Sequence, residues 1–267
     1  VPLSALTPKY SVSKKLSENF SLRGKTALIT GASQGIGESI ALAFAEYGAD
    51  LILHYRKDRD EARAVMAKVK KFGIKALMIR ADLSKTGSVA SIEKQLQGKA
   101  KPDILVINAS LQIPQPWEQI TQRDFNAQMN VNVKSTMLLI QRLSPAMVQA
   151  GWGRIITIGS AQQTRPHPAM LVYAASKAAV LNMVQNLAMQ LADKGITVNN
   201  IAPGVIDTPR IQQPVPEPQE RIAKKLDTPL GVIGQPVDCA AMALLLASDA
   251  GKFITGQNIF VDGGMSL

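Results

Sequence analysis

Short apolar runs rich in β-branched residues alternate along this chain with longer stretches in which apolar side chains recur every three or four positions. The first kind reads as buried strands and the second as amphipathic helices. In order, the pattern predicts a strand at 27–29, a helix over 38–47, a strand at 51–53, a helix over 59–72, a strand at 76–79, a helix over 89–96 and a strand at 104–107. A long helix over about 124–149 follows, then the strand Ile155-Ile156-Thr157-Ile158, a helix from Val172 onward and a sixth strand over 196–201. Gly234-Gln235-Pro236 begins a further apolar helix. Such alternation implies right-handed crossovers, and so an α/β, doubly wound parallel sheet of Rossmann type with helices on both faces, in one domain.

Two stretches fall outside the alternation. Residues 1–22 are polar and aperiodic, without the roughly 7–15-residue apolar core of a secretory signal, and read as an N-terminal arm ahead of a domain over 23–267. Residues 209–230 set five prolines among charges directly after the sixth strand. Ligands bind beyond the carboxyl ends of the strands in such sheets, so this insertion reads as a substrate lid. The plainer alternative is a solvated connector with a short helix.

Composition removes several function classes. At 267 residues, 46% hydrophobic and 19% charged, the chain can bury one sizeable core. No apolar run approaches the roughly 18–20 residues of a membrane span, so no membrane partner is expected. The single Cys239 excludes an internal disulfide and fits a cytoplasmic protein. Without a Cys/His cluster, and with His54 and His167 far apart, no metal site is expected, and both histidines read as structural or surface residues. The net charge of +10 would suit nucleic acid or an acidic partner. The basic groups are short and dispersed, however, and 4% aromatic content leaves little for base stacking, so nucleic acid is not expected.

The chemistry-bearing residues sit where strands end. Thr30-Gly31-Ala32-Ser33-Gln34-Gly35-Ile36-Gly37 joins the first strand to the first helix. Glycines there let the backbone approach a pyrophosphate, which the free N–H groups and positive end of the helix attract. Ser160 ends the fifth strand. Tyr173 and Lys177 are four apart, so on a helix they share a face, about 5–6 Å apart at their Cβ atoms. An ammonium beside a phenol favours the phenolate, lowering a pKa from about 10 and suiting the tyrosine to proton transfer. Taken alone, the pair would equally be an amphipathic surface pairing.

Together these motifs resemble the short-chain dehydrogenase/reductase family, whose nucleotide loop reads TGxxxGxG and whose active site carries a Ser and a YxxxK pair. The resemblance runs from about Ser21 to Leu267. It implies a catalytic set of Asn132, Ser160, Tyr173 and Lys177: Tyr173 to donate a proton to a carbonyl oxygen, Ser160 to bind that oxygen, Lys177 to lower the tyrosine pKa and bond the nicotinamide ribose, and Asn132 to hold a water leading to solvent. For Asn132 the residues alone leave open a polar side chain paired with a local carbonyl. The implied cofactor contacts are Gly31, Ser33, Gln34, Gly35, Ile36 and Gly37 in the phosphate loop, Asp82 and Leu83 after the third strand, Asn108, Ala109 and Ser110 after the fourth, and Pro203, Gly204, Ile206 and Thr208 after the sixth, with Tyr173 and Lys177. Asp82 could also be a helix cap, and Pro203-Gly204 merely a turn. The family commonly reads NNAG after the fourth strand, whereas this chain has Ile107-Asn108-Ala109-Ser110.

At the end of the second strand, Tyr55 takes the place of an acid that would bond a free ribose 2′-OH, and Arg56 can pair bidentately with a 2′-phosphate. The expected cofactor is therefore NADP(H). Thr255-Gly256-Gln257 to Val261-Asp262-Gly263-Gly264 resembles the family's last strand, which in relatives lies at a subunit interface, so a homotetramer is expected, with a dimer as the alternative. The leading reading is a ketone or aldehyde reductase nearest to 3-oxoacyl-carrier-protein reductase, acting on a small-molecule or carrier-bound carbonyl substrate. A sugar or polyol dehydrogenase is the alternative within the class, and a non-catalytic nucleotide-binding regulatory protein the alternative outside it. Substrate contacts are expected in 161–171 and in the insertion after Thr208.

Overall fold

The computed structural model describes residues 15–212 and 228–267. Seven parallel strands form one sheet in the order β3-β2-β1-β4-β5-β6-β7. They are β1 (Thr26–Thr30), β2 (Asp50–Tyr55), β3 (Ala76–Arg80), β4 (Ile104–Ile107), β5 (Gly153–Ile158), β6 (Ile196–Pro203) and β7 (Asn258–Val261). The helices are α1 (Gly35–Glu46), α2 (Arg59–Lys70), α3 (Ser88–Leu96), α4 (Gln122–Met129), α5 (Ser135–Ala150), α6 (Leu171–Leu191) and α7 (Pro236–Ala247).

Every residue of β4, β5 and β6 is buried, as expected of strands covered on both faces. The two-residue period of each strand divides its side chains between two cores. Ala27, Ile29, Leu51, Leu53, Ile104, Val106, Ile156 and Ile201 pack beneath α1, α2 and α7, with Phe44 of α1 fully buried among them. On the opposite face, Leu28, Ile52, Leu105, Ile155 and Val198 meet α3, α5 and α6 through Ile92, Leu139, Val180 and Val184. Ala41 and Ala45 of α1 share the first core with Ala240, Ala243 and Ala247 of α7. Small residues on both helices permit close approach.

The structure bears on three of these expectations. The helix expected over 124–149 is two α-helices joined by a π turn at Asn130–Lys134. The extra residue in that turn shifts the backbone ladder. The Ser135 and Thr136 hydroxyls donate to the carbonyls of Val131 and Asn132, at 2.6 and 2.7 Å. Apolar period alone does not register such an insertion. Second, the described end of the arm belongs to the domain: Leu16–Phe20 is a short 3₁₀ turn, and Leu22 is fully buried, its amide donating to the Tyr47 carbonyl at 2.8 Å. Residues 1–14 lie outside the described residues. Third, the proposed lid over 209–230 is represented by a short turn at Pro209–Gln212 and by 228–230. Residues 213–227, its greater part, lie outside the described residues.

Among the described residues no helix is long and apolar enough to cross a membrane. Phe44→Ala should destabilise the protein by about 3–5 kcal/mol through the cavity it leaves. Urea unfolding checks this: the midpoint should fall while the denaturant slope is kept.

Candidate active site

The loops after β1, β4, β5 and β6 converge at the carboxyl edge of the sheet. The strand order reverses at β1, which pairs with β2 on one side and β4 on the other. That is where ligands enter doubly wound sheets.

The turn after β1 is built for close backbone approach. Gly31 and Gly35 have φ of +64° and +58°, a region that favours glycine. A Cβ on Gly37 would lie 2.2 Å from the Gly31 carbonyl oxygen and 2.6 Å from Asn108 Nδ2. The loop's shape is imposed by neighbours. Asn108 Nδ2 donates to the Thr30 and Gly31 carbonyls at 3.0 and 2.9 Å, and the amides of Asn108 and Ala109 donate to Thr30 Oγ1 at 2.9 and 3.0 Å. From the other side the Gly31 amide donates to His54 Nδ1 at 3.2 Å and the Ala32 amide to the His54 carbonyl at 3.0 Å. With Nδ1 accepting, the His54 proton sits on Nε2 and is donated to the Ala81 carbonyl at 3.1 Å. His54 is thus a buried brace between the phosphate loop and the end of β3. Its pKa is pushed down to about 4, chiefly by burial, against the opposing effects of the Ala81 carbonyl and Asp82.

Tyr55 is buried and Arg56 exposed at the end of β2. Burial tends to raise the pKa of Asp82, but hydrogen bonds from the Ser84 hydroxyl (2.7 Å) and amide (3.0 Å), then Arg56 and Lys85, hold it below its ordinary value. Asp82 is therefore tied into a local turn, with Arg56 near enough for its charge to count. Leu83 is buried beside it.

Tyr173, Lys177, Asn132 and Ser160 come from three elements. Tyr173 and Lys177 lie in the first turns of α6, both buried. Lys177 Nζ is 5.5 Å from the Tyr173 ring centroid and donates to the Ile158 carbonyl at 2.6 Å. Burial, then the charge of Arg210, lowers Lys177 to about 7. Asn132 sits in the π turn at 3% exposure. Its Nδ2 donates to the Leu111 carbonyl and to Ser176 Oγ, each at 2.9 Å, while its Oδ1 accepts from the Leu111 amide at 2.8 Å. Ser176 in turn donates to the Tyr173 carbonyl at 2.7 Å. The Asn132 amide thus locks the loop after β4 to the helix that carries the tyrosine.

Ser160 caps the 3₁₀ turn Ala161–Gln163, its Oγ accepting from the Gln162 amide at 3.2 Å. Its hydroxyl proton is left to donate elsewhere. Behind it lies a polar cluster that sequence reasoning missed. Thr157 Oγ1 donates to Asn200 Oδ1 at 2.6 Å, and both Asn200 Nδ2 (2.6 Å) and Gln163 Nε2 (2.7 Å) donate to Asn258 Oδ1. A Cβ on Gly159 would lie 2.5 Å from Asn200 Nδ2. The side chains come from four separate segments, and nothing in their spacing announces that they meet.

After β6, Gly204 approaches Asp262 so closely that a Cβ would lie 2.7 Å from the aspartate Cβ. Ile206 forms a β-bridge with Gly234, whose amide donates to the Val205 carbonyl at 2.9 Å. Thr208 lies against the phosphate loop: its Cγ2 would be 3.1 Å from a Cβ on Gly35. The sequence-predicted loop residues, 31–37, 108–110 and 203–208, therefore lie at one edge of the sheet, with Asn108 bonded to the loop after β1 and Thr208 packed against it.

A family model described as "Enoyl-(Acyl carrier protein) reductase" matches residues 31–266. The chain belongs to the short-chain dehydrogenase/reductase family. Within that family it is 39% identical, over 91% of its length and 92% of the relative's, to a glucose 1-dehydrogenase of Gluconobacter oxydans. It superposes with a TM-score of 0.86 and 37% identity on a 3-oxoacyl (acyl-carrier-protein) reductase of Agrobacterium tumefaciens C58 with NADP bound, covering 96% of this chain and 99% of that one. A gluconate 5-dehydrogenase of Burkholderia cenocepacia in complex with NADP and tartrate superposes with a TM-score of 0.84 and 32% identity, covering 93% and 98%. As a short-chain dehydrogenase/reductase the chain is an oxidoreductase acting between alcohol and carbonyl groups.

Because His54 stays neutral in the fold to about pH 4, while an unfolded histidine takes up its proton near 6.5, its contribution to stability is present above pH 6.5 and lost as pH falls toward 4. This loss amounts to up to about 3 kcal/mol. In a His54→Asn variant the stability gap from wild type should narrow between pH 6.5 and 4, as measured by urea unfolding across that range.

Proposed function

We propose that the protein is an NADP(H)-dependent carbonyl reductase or alcohol dehydrogenase, nearest in activity to 3-oxoacyl-carrier-protein reductase. What supports this reading is the linkage of Lys177 to the Tyr173 ring and to the Ile158 carbonyl two residues before Ser160, with Asn132 tied through Ser176 to the Tyr173 carbonyl, at the same edge of the sheet as a glycine turn in which a Cβ at position 37 would strike the Gly31 carbonyl. Such a turn, with its amides at the start of α1, fits a pyrophosphate. Residues 31–37 would hold the phosphates, Arg56 the 2′-phosphate, Asp82 and Leu83 the adenine end, and Asn108, Ala109, Ser110, Pro203, Gly204, Ile206 and Thr208 the nicotinamide half. When bound there, the nicotinamide would supply or accept the hydride.

The chain's own residues handle the proton. In reduction, the Ser160 hydroxyl donates a hydrogen bond to the substrate oxygen, and Tyr173 Oη gives that oxygen its proton as charge builds on it. Lys177, with a pKa of about 7, populates both ammonium and amine near neutrality and so can return a proton toward Tyr173. Asn132 keeps α6 and the loop after β4 in register for this exchange.

A sugar or polyol dehydrogenase is the second reading, and a specific observation supports it. Gln115 Nε2 and Gln162 Oε1 are buried without a hydrogen-bond partner in the described protein. One donor and one acceptor, each costing about 1–3 kcal/mol while unpaired, are what a hydroxyl-bearing substrate would satisfy. Gln162 adjoins Ser160, and the Gln115 amide donates to the Ala169 carbonyl at 3.0 Å, so both belong to the segments around the substrate position. Assembly as a homotetramer in the cytoplasm completes the proposal. Large exposed apolar side chains, Val237 on α7 and Phe253 just before β7, support association.

Tyr173→Phe should bind NADPH with near-normal Kd, measured by fluorescence, yet lose at least about 1,000-fold in turnover on oxoacyl thioesters and keto sugars; retained turnover would overturn the mechanism. Arg56→Ala should lower kcat/KM for NADPH by about 10- to 100-fold and change NADH little. A wild-type preference for NADH would defeat the cofactor assignment.

A further inference from the structure

Arg210 stands two residues beyond Thr208, in the turn Pro209–Gln212. Its Nη1 donates to Ser110 Oγ at 2.9 Å and its Nη2 to the Ser110 carbonyl at 3.1 Å, so the segment after β6 is tied to the loop after β4. Ser110 occupies the position at which the family commonly has glycine. A glycine would keep the carbonyl but lack the hydroxyl, so the serine turns one anchor into two and fixes the plane of the guanidinium. Two of the five guanidinium N–H groups are used in this way. The remaining three include the Nε edge, which offers the paired donors that a carboxylate or phosphate accepts.

The surroundings favour an anion. Arg210 is exposed, and among the described residues no carboxylate is paired with it. Its charge reaches into the catalytic centre, where it adds to the effect of burial on Lys177. The two basic groups are thus close enough to repel one another, and a ligand anion at Arg210 would relieve that repulsion.

We propose that Arg210, oriented by Ser110, is a specificity-determining residue that receives an anionic group of the carbonyl substrate, either a carboxylate on the substrate itself or the phosphate of a carrier arm. The proposal rests on the reading of Tyr173 and its neighbours as the catalytic centre. It places the discriminating charge on the segment after β6.

Two matched pairs of substrates separate the sources: acetoacetate against its neutral ethyl ester, and acetoacetyl phosphopantetheine against acetoacetyl pantetheine. In Arg210→Gln the ratio of kcat/KM for the anionic over the neutral member should fall about 10- to 100-fold in one pair, and Arg210→Lys should recover part of it. The pair that responds identifies the source. Unchanged ratios in both pairs overturn the inference, as does a weakening of NADPH binding by the same factor, which would assign the anion to the cofactor. If wild type reduces none of the four, the oxoacyl reading fails separately, and calorimetric binding of malonate to the NADP⁺-loaded protein decides. Binding lost in Arg210→Gln and restored in Arg210→Lys supports the inference, whereas equal binding, or none, overturns it.

Discussion

The backbone turn at Gly31 is the constraint on which the site depends. It must bend sharply and still admit α1 directly against its own carbonyl. Glycine at 31 and 35 makes that conformation accessible, but permissive residues alone leave a loop floppy. Rigidity comes from the neighbouring strands. Thr30 and Asn108 bind the turn to β4, and His54 binds it to β2 and, through Ala81, to the end of β3. The loop is therefore a product of the sheet order, since only a strand flanked by β2 and β4 can be braced from both sides.

The catalytic half follows the same logic with different materials. A π turn brings Asn132 inward, and its amide meets the loop after β4 and the Ser176 hydroxyl together. Ser160 sits on a turn backed by Gln163, Asn200 and Asn258, whose amides satisfy one another in a space where a side chain at 159 would not fit. Buried polar groups of this kind are costly when unpaired and restrictive when paired. Here the restriction fixes where Tyr173 and Ser160 stand.

Much of this was legible in the sequence, for identifiable reasons. Parallel strands buried on both faces leave β-branched runs such as Ile155-Ile156-Thr157-Ile158, and helices leave their period, so the strand and helix order could be read directly. The glycine loop, Ser160 and the Tyr173–Lys177 pair were legible because each is local. What escaped was non-local. His54 ends β2 but acts on residues 31 and 81. Asn200 and Asn258 lie 58 positions apart and share a hydrogen bond. The π turn inserts one residue into a helix whose apolar pattern continues on either side. Arg210 reads in the sequence as one charge in a proline-rich insertion, because its partner, Ser110, lies 100 residues away.

The lysine illustrates why such distant partners matter to chemistry. From sequence, Lys177 is a cation beside a phenol. In the fold it is enclosed by protein, anchored to the Ile158 carbonyl and opposed by the charge of Arg210. A free exposed ammonium would hold its proton to a pH near 10 and exchange it poorly at neutrality. Burial removes water's stabilisation of the charge, and a second cation lowers the proton affinity further. A negative group bound between Lys177 and Arg210 would act in the opposite direction, raising the lysine's proton affinity when the cleft is filled. The residue that selects a ligand by charge would then also adjust the group that supplies the proton, coupling recognition to chemistry through electrostatics alone.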